Sequence, residues 1–516
     1  MKKLPIGIKD FANIIEDNYL YIDKTEYIYK LINEGKYYFL SRPRRFGKSL
    51  MVSTLENIFS GNKELFQGLY IYDKWHFKKY PIIKIDFNEI KRNTPEILES
   101  ELIKALKIIS NNYGIEIDDQ FSNRSFNDLI RNLYSVTKTK VVILIDEYDK
   151  PIIDTLTDLE VCKQNREILK TFYGTIKALD EYIQFCILTG VTKFSKTSIF
   201  SDLNNLYDIS LDNNFNSMLG YTEIELEKYF EEYIEDCCKV KGYDKKKLLQ
   251  KIKRWYNGYN FSGVDRLYNP FSILLFFKTY EFKNYWYETG TPTFLLNLLY
   301  EKQYDLSNLE TLELFESSLG KFEIENLSAE AVLFQTGYLT IKKKIDTPRG
   351  ILYKLHYPNL EVKNSLIDNL LKTYIKKNNN ETDKKILEME AQLEAEDIDG
   401  FIENIKFIFS GIPNVLFVKK EAYYSSVIYT ILALVGINAE FEQMNNLGRL
   451  DCAIKISDKV YIFEFKLNQP AEEALKQIKD KKYADKYDKG LKKYLIGVEL
   501  CDNLRNIKNY VFEKIE

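Results

Sequence analysis

Four apolar segments in the first part of the chain alternate with segments whose apolar residues recur at helical spacing. The predicted strands are residues 37–41, 82–87, 141–146 and 185–190, and the predicted helices among them are residues 50–59, 95–111 and 126–134. Continuous apolar runs of this length are typical of strands that are buried on both faces. Because strands that alternate with helices usually form a parallel sheet, the predicted fold class of this part is α/β.

From about residue 222 the pattern becomes helical, which predicts a helical lid. A helix at 327–337 is then followed by two short strands, 338–342 and 351–355, which flank a Pro/Gly turn. Helix followed by hairpin predicts a winged-helix-like unit with basic residues on its wing. The basic residues are Lys342, Lys343, Lys344 and Arg349. A packing hairpin with a solvated basic edge explains the same pattern, and both interpretations stay open.

A charged segment at residues 376–397 predicts a helical linker, and a further α/β region follows it. The sequence thus predicts four consecutive parts. They are an N-terminal α/β domain at 1–221, a helical and winged-helix-like region at 222–375, a charged linker at 376–400 and a C-terminal α/β domain at 401–516.

The C-terminal region contains a predicted β-hairpin with strands at 448–456 and 460–466. Because strand side chains alternate between faces, Glu464 and Lys466 share one face and the neighbouring aromatic residues point to the other. With a two-residue turn at 457–458, the register sets Asp451 directly opposite Glu464. Opposed Cβ atoms lie only about 4.5–5.5 Å apart, so two carboxylates would repel each other there.

A divalent cation between the two carboxylates removes that repulsion, and Mg²⁺ or Mn²⁺ suits an oxygen-rich site. Lys466 then lies where it can hold, or help to deprotonate, a metal-bound water that attacks a phosphodiester. The alternative interpretation is an edge hairpin in which Glu464 and Lys466 form a surface ion pair.

A second candidate site lies in the loop after the first predicted strand. Gly47 lets backbone N–H groups approach a phosphate, Lys48 can reach the β- and γ-phosphate oxygens, and Ser49 can coordinate Mg²⁺. Arg44 and Arg45 add positive charge in the same loop. The first glycine of G-x-x-x-x-G-K-S is absent, because Arg42 occupies that position. A basic loop that merely precedes a helix is the alternative.

Two later strands favour the phosphate-binding interpretation, since each ends in polar residues suited to it. The strand at 141–146 ends in Asp146, which can hold Mg²⁺ through water, and Glu147, which can orient an attacking water. The strand at 185–190 carries Thr189 near its end, where a hydroxyl can sense a γ-phosphate.

Several segments together resemble the bacterial AAA-ATPase-like family. They are 21–25, 42–49, 144–151, 199–206, 256–259, 268–272 and 285–291. The resemblance covers nearly the whole chain and implies ATP and Mg²⁺ as cofactors. The nucleotide-binding set that it implies is Arg44, Arg45, Phe46, Gly47, Lys48, Ser49, Leu50, Asp146 and Thr189.

The C-terminal hairpin resembles the PD-(D/E)XK nuclease superfamily, which implies Asp451 and Glu464 as metal ligands and Lys466 as the catalytic lysine. The resemblance further implies a metal-bound backbone carbonyl at Phe465, an additional acid at Glu421 and a glutamine from a following helix at Gln477. Cys452, and the absence of proline before Asp451, depart from the superfamily pattern without touching these ligands.

Composition excludes several classes of protein. Hydrophobic residues make up 45% of the 516 residues, so the chain can bury more than one core. A net charge of −3 gives no overall field toward DNA, so a nucleic-acid surface must be local. Six cysteines without C-x-x-C and only two histidines exclude a zinc site and a disulfide scaffold. Without a signal peptide or an apolar stretch long enough to span a bilayer, we expect a cytoplasmic, membrane-free protein.

The function predicted from the sequence is an ATP-binding, ATP-hydrolysing protein coupled to a Mg²⁺-dependent DNA endonuclease, for which a mobile-element or anti-phage role is an analogy. The alternative is a nucleotide-dependent switch or assembly protein whose nuclease-like domain binds nucleic acid or partners without cleavage. The sequence leaves open DNA against RNA and whether a homo-oligomer forms.

Overall fold

The computed structural model divides the chain into two compact units. Unit 1 comprises Met1–Phe294 with Glu313–Val362, and unit 2 comprises Leu295–Leu312 with Lys363–Glu516. The structure describes residues 1–193, 199–200, 203–286, 295, 298–299, 309, 312–320, 324, 327–374, 379–411, 421–434, 438–445, 448–488 and 490–515. The sequence segments 199–206 and 285–291, named above for their resemblance, lie partly outside these residues.

A parallel five-stranded sheet forms the centre of unit 1, with the strand order β2-β3-β4-β1-β5. Its strands are β1 (Tyr37–Ser41), β2 (Ile82–Asp86), β3 (Val141–Asp146), β4 (Ile183–Gly190) and β5 (Tyr207–Asp208). Every residue of β1 and β3 is buried, as expected for strands that are covered on both faces. The predicted α/β fold class and its parallel sheet are confirmed.

Helices surround this sheet, and several begin where a polar residue caps the first turn. The helices are α1 (Phe11–Glu16), α2 (Thr25–Glu34), α3 (Lys48–Phe59), α4 (Pro95–Asn111), α5 (Ser122–Thr137), α6 (Lys150–Ile153) and α7 (Leu159–Ala178). Thr94 accepts a hydrogen bond from the backbone of Ile97 at the start of α4, and Pro95 occupies the first helical turn. A capping side chain and an early proline both favour initiation there.

A helical region with its own apolar core follows the sheet. It contains α8 (Glu223–Tyr229), α9 (Glu231–Lys241), α10 (Lys245–Tyr256), the short strands β6 (Asn257–Tyr259) and β7 (Leu267–Tyr268), and α11 (Pro270–Thr279). Thr222 and Glu225 form a reciprocal capping box that starts α8. Aromatic side chains dominate the core, among them Phe230 and Phe277, whose stacked rings lie 5.0 Å apart.

A three-stranded antiparallel sheet of order β8-β10-β9 completes the described part of unit 1. Its elements are β8 (Glu313–Phe315), α12 (Glu316–Leu319), α13 (Ala329–Thr336), β9 (Thr340–Thr347) and β10 (Gly350–His356). The predicted helix followed by a hairpin is therefore present. Seven of the eight residues of α13 are buried, so this helix does not offer a face to nucleic acid. Lys342, Lys343 and Lys344 are exposed on β9.

Unit 2 contains a mixed sheet in which β13 and β14 are parallel and the other neighbouring strands are antiparallel. Its strands are β11 (Asn438–Asn445), β12 (Gly448–Ile456), β13 (Lys459–Leu467), β14 (Lys492–Cys501) and β15 (Asn506–Ile515). Its helices are α14 (Leu360–Tyr374), which begins in unit 1, α15 (Asn379–Glu394), α16 (Ile398–Ser410), α17 (Glu421–Leu434) and α18 (Ala471–Asp480).

The predicted hairpin register is confirmed, because Ile456 pairs with Lys459 and Cys452 pairs with Phe463. Ser457 has a φ of 50°, as the tight turn between β12 and β13 requires. The aromatic residues Phe463 and Phe465 are buried, and their stacked rings lie 6.0 Å apart. Helix α15 occupies most of the segment for which a charged helical linker was predicted.

The four predicted domains remain a prediction, since the compact units divide the chain differently. The P-loop part and the helical part fall together in unit 1. Residues on either side of position 221 are linked by a β-bridge between Tyr221 and Tyr268. Among the helices that the structure describes, none combines the length and apolar composition needed to cross a bilayer.

Candidate functional sites

The loop between β1 and α3 has an open concave face. Gly47 is the residue before α3 and has a φ of 93°, a left-handed conformation that favours glycine. No side chain caps the helix start, so its first backbone N–H groups remain available to another acceptor. A Cβ at Gly47 would meet no atom within 4 Å, which places open space beside the loop. Arg45 also has a positive φ, 68°, and such alternation turns successive N–H groups toward an anion.

Lys48 lies inside this loop and is only 4% exposed. Its Nζ donates hydrogen bonds to the backbone carbonyls of Arg42 at 3.1 Å and Pro43 at 3.3 Å. The same Nζ lies 3.5 Å from Oε1 of Glu147, which is 18% exposed and follows β3. The loop therefore holds a positive charge at its centre, with a carboxylate at its rim.

Asp146 lies at the end of β3, where Ser49 and Thr189 both hydrogen-bond its carboxylate. The Thr189 hydroxyl donates to Oδ1 at 2.5 Å. Burial raises the pKa of Asp146, and the negative charge of Glu147 raises it further. Thr189 is fully buried and contacts this carboxylate, so the structure places it as a support of Asp146. Its direct contact with a γ-phosphate remains a prediction.

A cleft of about 420 Å³ lies beside this loop, within the range of roughly 300–1,000 Å³ that is usual for small-molecule sites, and Asp146 and Thr189 are not part of its lining. Its lining includes Arg44, Arg45, Gly47, Lys48, Ser49, Leu50 and Glu147. A smaller apolar cavity of about 80 Å³ shares Gly47, Leu50, Tyr221 and Pro270 with the cleft. Phe46, which sequence reasoning assigned to nucleotide binding, lines this second cavity.

Arg42 does not face this cleft, and its position explains how the loop forms without the first glycine. The side chain is buried, donates to the Ser210 carbonyl and lies over the Phe261 ring, with 4.2 Å between the guanidinium carbon and the ring centroid. Burial lowers the pKa of Arg42 to about 9. The Arg42 N–H donates to the Gly190 carbonyl and so extends the β1–β4 pairing. Because Arg42 does not have a positive φ, no glycine is required at this position.

Sequence reasoning missed part of the cleft wall. Lys9, Asn88, Lys150 and Phe271 also line the cleft. Lys150 directly follows Asp149, close to the acidic end of β3, and was within reach of the sequence argument, whereas the others come from distant segments without a local pattern. Lys9 forms an ion pair with Asp86 at 2.7 Å.

Asp149 is a further buried acid that the sequence argument did not use. Its Oδ2 accepts from the backbone N–H groups of Val191 and Thr192, at 3.0 and 2.6 Å, and from the Thr192 hydroxyl at 2.6 Å. Burial, followed by the charge of Glu147, raises the pKa of Asp149 to about 6. Asp149 thus fixes the segment after β4 against the end of β3.

The donor set of this cleft fits ATP with Mg²⁺. Gly47 leaves a space beside open N–H groups, and Lys48 supplies the charge that phosphate requires. Ser49 and Asp146 bring a hydroxyl and a carboxylate together, the oxygen ligands that Mg²⁺ prefers.

The hairpin of unit 2 brings three predicted residues together. Glu464 is 1% exposed, and its Oε1 lies 3.1 Å from Nζ of Lys466, which is 22% exposed. Gln477, on the helix α18, donates from Nε2 to the same oxygen of Glu464. Glu464 is therefore a buried carboxylate rather than half of a surface ion pair, contrary to the alternative interpretation of the sequence.

Asp451 lies on β12 directly before Cys452, which pairs with Phe463. The described pairing ends at Cys452 and Phe463, so the position of Asp451 opposite Glu464 remains a prediction. Phe465 lies between Glu464 and Lys466 on β13, and Glu421 begins α17. The side chains of Asp451 and Glu421 lie outside the described residues. The described side chains include no group of three acids, histidines or cysteines able to hold a metal.

Glu464 fits a metal ligand, because its buried carboxylate lies in a polar setting with Lys466 and Gln477 beside it. A second carboxylate from Asp451 would complete an acidic pair suited to Mg²⁺ or Mn²⁺.

Comparison with known proteins agrees with both resemblances seen in the sequence. A family model described as "Predicted AAA-ATPase" matches residues 5–200, and the model of the PD-(D/E)XK nuclease superfamily matches residues 419–510. An "Uncharacterized protein in vnfD 5'region" of Azotobacter chroococcum mcd 1 is 40% identical over 528 residues, covering 100% of this chain and 99% of that protein. The chain belongs to the same family as this Azotobacter protein, and it combines an AAA-ATPase-like domain with a PD-(D/E)XK nuclease superfamily domain.

Proposed function

We propose that the protein binds and hydrolyses ATP with Mg²⁺ in unit 1 and cleaves DNA with Mg²⁺ or Mn²⁺ in unit 2. One observation carries the proposal: in each unit, a lysine and a glutamate meet beside further polar groups, Lys48 with Glu147 and Lys466 with Glu464. Both domain families are consistent with such chemistry.

In the proposed ATP site, Lys48 and the N–H groups at the start of α3 bind the β- and γ-phosphates. Bound Mg²⁺ supplies charge neutralisation on the phosphate oxygens. Glu147 orients a water whose oxygen attacks the γ-phosphorus, while the bond to the β–γ bridging oxygen breaks. Glu147 is suited to this role because it is partly exposed and lines the cleft. Asp149 and Thr189 hold the strand ends on which Glu147 and Asp146 lie.

The apolar cavity beside the cleft favours a nucleoside triphosphate, rather than inorganic polyphosphate, as the ligand of this site. Its wall includes Leu50, Met51, Tyr221 and Pro270, and it opens from the same loop as the phosphate-binding residues. Aromatic and aliphatic side chains of this kind suit a planar base, since burying apolar surface contributes roughly 25 cal/mol per Å².

In the proposed nuclease site, Glu464 and Asp451 are the metal ligands. Bound Mg²⁺ or Mn²⁺ supplies an activated water and stabilises charge on the phosphate. Lys466 would position a water for attack on phosphorus. As the new P–O bond forms, the P–O ester bond breaks, the attacking water gives up a proton to solvent and the leaving oxygen takes a proton from solvent. Gln477 restrains Glu464 through its hydrogen bond to Oε1. We propose DNA as the substrate, and a mobile-element or anti-phage role by analogy alone.

The test incubates purified protein with supercoiled and linear DNA, with and without Mg²⁺ and ATP, and follows cleavage and phosphate release in the same samples. We expect Mg²⁺-dependent cleavage, abolished by EDTA, and ATP hydrolysis. RNA in a parallel reaction distinguishes the substrates. Absence of both activities across metals and nucleotides would favour the switch or assembly function.

Matched variants separate the two sites in this assay. Lys466→Ala should remove cleavage and keep ATP hydrolysis, whereas Lys455→Ala, on the exposed side of the same hairpin, should leave both activities intact. Equal loss of cleavage in both variants would show a general charge effect and would count against a catalytic role for Lys466.

A further inference from the structure

The proposed phosphate-binding loop of unit 1 contacts several residues of the helical and winged-helix-like region. The Phe46 ring meets the Tyr259 ring edge-on, with centroids 4.8 Å apart. The Arg45 guanidinium lies over the Phe271 ring, 4.6 Å from its centroid. Trp286 Nε1 donates a hydrogen bond of 3.1 Å to the Arg44 carbonyl.

Pro43 makes a similarly close contact with this region. A Cβ at Gly337 would lie 2.7 Å from the Pro43 ring, a distance that real side chains do not adopt. Gly337 also has a φ of 92°, which favours glycine independently. The loop is therefore packed against a region that lies far beyond it in sequence.

The Trp286 contact sets the direction of a peptide group in the loop. In a trans peptide, the carbonyl and the following N–H point in opposite directions. Tying the Arg44 carbonyl to Trp286 therefore turns that oxygen away from the loop interior and directs the Arg45 N–H to the other side. Because a carbonyl oxygen would repel a phosphate and an N–H would bind one, this orientation favours an anion in the cleft.

Trp286 is in turn held by Glu361. The Trp286 backbone N–H donates to Glu361 Oε1 at 2.8 Å, and the Ser272 hydroxyl donates to the same carboxylate at 2.8 and 3.0 Å. Ser272 lies on α11, whose first residues Pro270 and Phe271 line the cleft. Glu361 is fully buried, so these hydrogen bonds are the means by which the interior accommodates it.

Glu361 lies in the first turn of α14, and the chain passes into unit 2 directly after Val362. One buried side chain therefore joins the cleft-lining helix α11, the tryptophan that orients the loop and the start of the helix that leads out of unit 1.

We infer that Trp286 and Glu361 are positioning residues that hold the phosphate-binding loop in its anion-accepting shape and report its occupancy to the start of α14. This inference rests on the proposed ATP binding and adds a regulatory contact to that site. A ligand that changes the Arg44–Arg45 peptide must change the Trp286 contact, and Trp286 shares its anchor with α14.

The first experiment measures ATP affinity by calorimetry in wild type, Trp286→Phe and Trp255→Phe. Trp255 is a matched control, because its ring packs against Phe282 in the helical region, 5.7 Å between centroids, and does not line the cleft. We expect Trp286→Phe to weaken ATP binding about tenfold, the effect of losing one hydrogen bond to the loop, and Trp255→Phe to leave it unchanged. Glu361→Gln keeps the shape of the anchor and should weaken binding less than Glu361→Ala.

The second experiment tests whether the surroundings of Trp286 change when ATP binds, which a merely structural role of Trp286 would not produce. A chain with Trp75→Phe and Trp255→Phe keeps Trp286 as its single tryptophan. Its emission should shift when ATP is added, and Lys48→Ala should abolish that shift. Thermal melts of every variant identify those that are folded and can be compared.

The outcomes distinguish this inference from the proposed function. ATP binding by wild type, with equal affinity in Trp286→Phe and an unchanged emission of Trp286, overturns the inference alone. Absence of ATP binding by the folded wild-type protein overturns the proposed ATP site and the inference with it.

Discussion

The two candidate sites contain the same pair of residue types with opposite burial. In the ATPase-like domain the lysine is buried and the glutamate is partly exposed, since Lys48 is 4% and Glu147 is 18% exposed. In the nuclease domain the glutamate is buried and the lysine is more exposed, since Glu464 is 1% and Lys466 is 22% exposed. In each pair, the buried partner makes further hydrogen bonds within the protein. Lys48 donates to two loop carbonyls, and Glu464 accepts from Gln477.

We infer from this reversal of burial that the buried partner of each pair is fixed in place by the protein and that the more exposed partner acts on the reactants. Under the proposed function, the buried Lys48 binds phosphate and the partly exposed Glu147 orients water. In the same proposal, the buried Glu464 binds the metal and the partly exposed Lys466 acts on water or phosphate. Removal of the fixed partner should therefore abolish binding of the ligand, whereas removal of the other should lower the chemical rate with binding retained.

The largest expected effect comes from removing either acid of the proposed nuclease site, Asp451 or Glu464. Asp451→Ala and Glu464→Ala should each reduce DNA cleavage by at least ~10³-fold, because each removes a ligand of the proposed metal. Cleavage measured over a range of Mg²⁺ and Mn²⁺ concentrations checks this. Without metal, the Asp451→Ala protein should be as stable as wild type or more so, since a carboxylate repulsion is relieved. A large loss of metal-free stability in both variants would support a structural ion pair instead.

In the proposed ATP site, we expect one variant to lose ATP binding and another to lose hydrolysis. Lys48→Ala should weaken ATP binding about 100-fold, roughly 2.7 kcal/mol, because the loop loses the charge at its centre. Glu147→Gln should keep the affinity of wild type and lower hydrolysis by ~10²–10⁴-fold, the usual contribution of a general base. Calorimetry and phosphate release measure the two quantities separately. Equal ATP affinity in wild type and Lys48→Ala would contradict the assignment of the loop.

The pH dependence of stability tests the anchor that holds the loop. Burial raises the pKa of Glu361 from 4.5 to about 8. Because the folded state binds the proton more tightly, the stabilisation is complete below pH 4.5 and is lost as the pH rises through about 8. The contribution changes by up to roughly 1.4 kcal/mol per pH unit within this window. Glu361→Gln, which cannot ionise, should flatten this part of the stability profile.

Thermal melts of wild type and Glu361→Gln between pH 5.5 and 8.5, on the order of half-unit steps, compare the two slopes. Asp149 contributes in the same direction at lower pH, since burial raises its pKa from 3.8 to about 6. It is present in both proteins, so its effect cancels in the comparison. Parallel profiles for the two proteins would refute an ionising Glu361 in this window.

The smallest expected effect is the coupling of the two sites. If ATP binding favours an arrangement that accepts DNA, DNA must change ATP affinity by the same factor, which we expect to be about fivefold. Lys466→Ala is the suitable protein, because DNA remains intact while binding is measured. Identical ATP dissociation constants with and without saturating DNA would falsify equilibrium coupling and leave two independent activities on one chain.

The features that the sequence predicted best are those that depend on the order of neighbouring residues. Strand β3 and the Gly47–Ser49 loop follow from continuous apolar residues and from a glycine beside a lysine. The hairpin register follows from a two-residue turn, and the Ile456–Lys459 pair confirms it. The glutamine at 477 came from a family resemblance, and the structure places it on Glu464.

What the sequence did not predict depends on contacts between distant segments. The burial of Arg42 requires Phe261, which lies far along the chain. The hydrogen bonds that Asp149 accepts from the segment after β4 require the sheet order, in which β3 and β4 are neighbours. Phe271 reaches the cleft only because the helical region packs against the loop. No periodicity along the chain encodes such pairs.

The buried stacking of Arg42 on Phe261 has a consequence for protein engineering. Restoring the standard glycine at position 42 would delete a guanidinium from the interior and leave a void beside Phe261, without gaining any backbone conformation that the loop needs. Grafting a conventional phosphate-binding loop from an ATPase would fail for the same reason, unless its surroundings were transplanted with it. Compatible replacements at position 42 should therefore arise together with changes at position 261, as a co-inherited pair.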